Sequence, residues 1–149
     1  MQEKIKKINI TNLIVVCIIF FMELSPNSIM ITSDGGLNNK VNIEYVSYFT
    51  EPNLWLNMVP LIPFIIAVFT ICILIVNSVC AIIEDNKKLN IVSIIFSSIC
   101  GIGSLMYICI MKKYITAYNL VITALFFVSI VLQSIKLGGQ KNESQIKNK

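Results

Sequence analysis

Cys17, Cys72, Cys80, Cys100 and Cys109 are the residues of this chain best suited to redox chemistry, yet their spacing argues against it. No two stand as Cys-x-x-Cys, the arrangement that activates one thiol beside its disulfide partner. All five lie in apolar runs, where a thiol packs as a small apolar side chain. The chain has no His, and every one of its 12 basic residues is Lys. A His-bound zinc, a His-ligated haem, a Ser-His-Asp relay and an Arg clamp for phosphate are all excluded. The acids Glu23, Asp34, Glu44 and Glu51 gather between the first two apolar runs at spacings that match no catalytic motif, and read as surface carboxylates. The expectation is a protein without catalytic residues, cofactor or metal site.

Polar side chains within the apolar runs are the remaining candidates. Ala67, Thr70, Leu74, Asn77 and Ala81 follow a 3-4-3-4 spacing that places them on one helical stripe. Ser93, Ser97, Cys100, Ser104 and Tyr107 follow the complementary 4-3-4-3 spacing in the next run, with Gly101 four residues after Ser97. Matching depths across the short connection pairs Asn77 with Ser97, Ala81 with Ser93 and Thr70 with Ser104. Lipid gives helices no hydrophobic reason to associate, so small residues and interhelical hydrogen bonds must do so. Ala67, Thr70, Asn77, Ala81, Ser93, Ser97, Gly101 and Ser104 are therefore expected to form a packing seam. The other reading of the same stripe is the lining of a path for a small solute.

The elements that carry these residues follow from length and hydropathy. The 149 residues are 56% apolar and only 13% charged, outside the balance of a soluble domain. Crossing roughly 30 Å at 1.5 Å per residue takes about 20 apolar residues. Helices are expected at about 5–24, 61–83, 89–111 and 116–136. The first has the shortest apolar core and a basic flank, as a signal peptide would, but no small-x-small cleavage site follows it. It reads as a retained helix. Gly138 and Gly139 are expected to end the fourth helix and leave a disordered tail over 138–149.

Residues 25–59 form the one long connection. Positions 28–33 and 41–49 read as strands about an Asp34-Gly35-Gly36 turn, and 50–59 as a short interfacial helix carrying Trp55. Tyr45, Tyr48, Phe49 and Trp55 are the candidates for contact with a partner. One helix, a β-rich loop and three more helices resemble claudin-like tetraspans in layout. The loop lacks their cysteine pair and Trp-Gly-Leu-Trp-type signature, so the layout implies no family and carries over no residue.

Lysine placement sets the expected orientation. With the N-terminus inside, Lys4, Lys6, Lys7, Lys87, Lys88, Lys136, Lys141, Lys147 and Lys149 are cytoplasmic, and Lys40, Lys112 and Lys113 are outside. The net charge of +4 then marks retention beside anionic headgroups and does not point to nucleic acid. Abundant Ile, Asn and Lys without Arg suggest AT-rich coding, as in low-G+C bacteria. The sequence thus predicts an all-α membrane protein: a four-transmembrane-helix bundle with a small extracellular β-hairpin and a short interfacial helix, multi-pass in the cell membrane, both termini cytoplasmic. Its expected partners are the lipid bilayer and another membrane protein or a second copy of itself. The expected role is non-catalytic, of an accessory, regulatory or immunity type; the alternative is a small oligomeric transporter or pore lined by the polar seam.

Overall fold

The computed structural model describes residues 2–34, 41–50, 61–82, 87–111 and 115–147. Among these residues four helices carry the fold: α1 (Gln2–Leu24), α2 (Leu61–Ile82), α3 (Lys87–Ile110) and α4 (Ala117–Lys147). A two-stranded antiparallel hairpin, β1 (Ile29–Asp34) and β2 (Val41–Val46), lies between α1 and α2 in the chain. Its register runs from Ile29 opposite Val46 to Asp34 opposite Val41. All four helices are long and apolar enough to cross a membrane. Consecutive helices pack together and α1 closes on α4, so the bundle is a ring in chain order.

The buried positions explain why these helices associate. In α1 they are Asn9, Asn12, Val16, Ile19 and Glu23; in α3 they include Asn90, Ser93, Ser97, Cys100, Ser104 and Tyr107. In α4 they include Asn119, Ile122, Phe126, Ser129, Gln133 and Lys136. Each set steps by three and four residues, which keeps one stripe facing the bundle axis. The opposite faces expose Ile14, Phe21, Ile75, Ile102 and Val131. Polar groups inside and apolar groups outside is the arrangement that lipid demands, since hydrocarbon offers a polar side chain no partner.

Local chemistry fixes the helix ends. Ser25 N–H donates to the Met22 carbonyl at 3.2 Å as α1 closes, and Pro26 has no N–H with which to continue it. Pro63 sits in the first turn of α2, where no N–H is required. Thr116 caps α4: its hydroxyl oxygen accepts the Asn119 N–H at 3.3 Å while its proton goes to the Ser28 carbonyl at 2.9 Å. One side chain thereby starts a helix and ties it to the hairpin.

α4 corrects the expected tail: it continues through Gly138 and Gly139 to Lys147. A glycine costs a helix only about 1 kcal/mol, and the Gln, Lys and Glu side chains that follow favour helix. The second strand stops at Val46, with turns over the next residues, where a run to position 49 was expected. The interfacial helix with Trp55, the glycines of the hairpin turn and the Lys112–Lys113 pair lie outside the described residues.

Candidate functional site

Two polar layers occupy the bundle interior. The layer farther from the hairpin centres on Asn12 of α1. Its Nδ2 donates to Asn77 Oδ1 of α2 at 2.9 Å, and its Oδ1 accepts from Ser129 Oγ of α4 at 2.8 Å. Asn77 Nδ2 donates in turn to Ser93 Oγ of α3 at 3.1 Å and to the Ile73 carbonyl at 2.9 Å. Gln133 Nε2 donates to Ser129 Oγ at 3.0 Å and reaches Ser97 Oγ at 3.5 Å. Four helices are thus joined through six side chains. Nearer the helix ends, Asn9 Nδ2 donates to the Cys80 carbonyl at 3.4 Å and Lys136 Nζ to Asn90 Oδ1 at 2.6 Å.

These bonds redistribute the expected seam. Asn77 meets Ser93 and not Ser97, a displacement of one helical turn. α3 begins at Lys87, two residues earlier than expected, and α2 ends at Ile82, which agrees with a shift in that direction. Ser97 turns towards Gln133 of α4. Gly101 also faces α4, where a Cβ would lie 3.7 Å from Ile130 Cδ1 and 3.7 Å from Phe126 Cβ. Thr70 turns to α1, and Ala67 and Ser104 are buried, whereas Ala81 is only half-buried. Seven of the eight are buried, and their partners come from all four helices, so a two-helix pairing misplaces them.

The second layer lies beneath the hairpin and is built around Glu23. Its carboxylate, expected at the surface, has 0% exposure. Thr70 Oγ1, near the middle of α2, donates to Glu23 Oε1 at 2.9 Å and is also 3.0 Å from the Ile66 carbonyl oxygen. Cys100 Sγ approaches that same carbonyl at 3.9 Å, which brings α3 to this level. Glu23 Oε2, Ser104 Oγ and Tyr107 OH have no hydrogen-bond partner among the described residues. Asn119 Nδ2 is likewise unpartnered.

The hairpin is bound to this layer. Tyr48 N–H donates to the Glu23 carbonyl at 3.0 Å, and its hydroxyl donates to Asn119 Oδ1 at 3.2 Å. Burial first, then the nearby Glu23 and Tyr107 charges, raises the Tyr48 phenol above its ordinary pKa and keeps it a proton donor. Tyr48 is therefore a buried strut, which removes it from the expected partner face. Phe49 is half-buried and sets its ring edge-on to Phe20 at 5.6 Å. Tyr45 points outward and is 54% exposed.

No group of three or more His, Cys, Asp or Glu that could hold a metal occurs among the described residues, and the five cysteines form no disulfide. Sequence reasoning leaves Glu23 at the surface and passes over Asn12, Ser129 and Gln133 as interior partners, although Asn9, Asn12 and Glu23 already share a 3-4 periodicity with Val16 and Ile19. No family model, no curated protein and no solved structure is significantly similar to this chain.

Proposed function

We propose that this chain is a non-catalytic integral protein of the cell membrane, accessory, regulatory or immunity-type in role. It acts by contact with another membrane protein or a second copy of itself, through helix faces and the outer loop, with both termini cytoplasmic. The observation that carries this reading is the rigid mounting of the hairpin. Tyr48 and the Ser28 carbonyl, which flank the hairpin strands, bind Asn119 of α4 and its cap Thr116, while Tyr45 projects outward. An exposed aromatic on a held element is ready to bury area at little cost in order.

Tyr45→Ser is expected to abolish co-purification of the partner in mild detergent while leaving the melting temperature unchanged, because Tyr45 contributes little to the interior. Undiminished co-purification would remove the hairpin from the contact.

One observation favours the second reading, a small oligomeric transporter or pore. Ionisable groups buried at membrane depth mark ion and proton pathways in many membrane proteins, and Glu23 is buried in a helix long and apolar enough to span a membrane. The polar seam that would line such a path is engaged in interhelical bonds at Asn77, Ser93 and Ser97.

A further inference from the structure

Glu23 brings a single carboxylate to a place where four elements meet and where no described basic side chain forms an ion pair with it. Its Oε1 has Thr70, whose one proton is shared between two acceptors, and its Oε2 has no partner among the described residues. A buried carboxylate left in that state is costly. Two further oxygens, Ser104 Oγ and Tyr107 OH, are also buried and unpartnered. Cys100, Ser104 and Tyr107 share one stripe of α3, and Cys100 sits on the Ile66 carbonyl that Thr70 also approaches. That shared carbonyl brings the Cys100 end of the stripe to the level of Thr70 and the carboxylate it binds.

We propose that Glu23, Thr70, Ser104 and Tyr107 form a binding site for one Na⁺-sized monovalent cation, entered from the hairpin end. The donor set is chemically selective. Hard cations take oxygen ligands, and a divalent ion wants more than one carboxylate. Here one carboxylate is joined by neutral hydroxyl oxygens, enough to balance a single charge. Asn119 Nδ2 is a donor and takes no part as a ligand. A proton competes with the cation for Glu23. The titratable side chains nearest it are Tyr48 from the hairpin exit and Cys100 from α3, with Tyr107 beside Tyr48 and Cys72 of α2 beside Cys100. This site is independent of the partner reading above, because it requires only the folded bundle.

Thermal unfolding of the purified full-length protein in nanodiscs tests the proposal, with NaCl compared against choline chloride at equal ionic strength. A ligand that binds only the folded state raises the melting temperature; near-saturating Na⁺ is expected to add about 3 °C or more. The rise shrinks as the pH is lowered, and it disappears in Glu23→Gln. Ser104→Ala and Tyr107→Phe move the half-maximal Na⁺ concentration upward, and they decide the matter if Glu23→Gln does not fold. Equal melting temperatures in the two salts overturn the proposal. So does a rise that survives in Glu23→Gln, an unchanged Na⁺ midpoint in both hydroxyl variants, or a response to pH without any response to Na⁺.

Discussion

Asn12→Leu is expected to destabilise the bundle by about 2–4 kcal/mol, the largest loss from any single polar side chain. The substitution removes the donor to Asn77 Oδ1 and the acceptor of Ser129 Oγ, which are bonds to two different helices. Interhelical hydrogen bonds in membranes average about 0.6 kcal/mol, so two lost bonds alone would be modest. The larger figure comes from what remains: Asn77 Oδ1 loses its donor in an interior without water, and a buried unpaired group costs about 1–3 kcal/mol. The control is Thr11→Leu, one residue away. Thr11 is exposed and its hydroxyl bonds only the Lys7 carbonyl of its own helix, so that change is expected to be nearly neutral. Equilibrium unfolding in mixed micelles compares the two. Equal stability of both variants would show that the Asn12 centre does not hold the helices.

Gly101→Leu is expected to separate α3 from α4 and lower stability by about 1–3 kcal/mol, whereas Gly101→Ala is tolerated. The difference is geometric. A Cβ at position 101 would make ordinary contacts at 3.7 Å with Ile130 and Phe126, and at 3.8 Å with Phe127. Alanine fills that space and also favours helix over glycine by about 1 kcal/mol. The further carbons of leucine enter space already held by those three side chains. Melting temperatures of the two variants should therefore fall on opposite sides of the parent. Leucine behaving like alanine would mean that α3 and α4 are not in close contact at this level.

Much of the architecture is legible in the amino-acid order. Uncharged runs of spanning length define α2 and α3, and the β-branched and aromatic residues over 41–46 define β2. Apolar length sets those elements without reference to anything distant in the chain. Partner choice is different. The Asn77 stripe is visible, but its hydrogen bonds depend on Asn12 and on a helix start moved by two residues at Lys87. A two-helix reading has no place for the inward stripes of α1 and α4.

Glu23 was misread for a related reason. It stands second from the end of α1, where a carboxylate ordinarily meets water, but Tyr48 folds back over it and Thr70 meets it from mid-helix. Lys136 repeats the pattern at the other end of the bundle. The sequence counts it among the cytoplasmic lysines, and the fold holds its ammonium on buried Asn90. A charge near a helix end reports where the chain leaves the hydrocarbon only if no neighbouring element covers it.

The central claim is that the polar groups of the four helices are turned onto one another, so that the protein works by contact through its outer faces. Thiol accessibility in native membranes tests this most directly, in a background with the five cysteines replaced by alanine. Asn77→Cys, Ser97→Cys and Ser129→Cys are expected to resist a water-soluble maleimide, while Tyr45→Cys is expected to react readily from the hairpin side. Interior positions that react as fast as position 45 would reveal a water-filled path through the bundle and contradict the account.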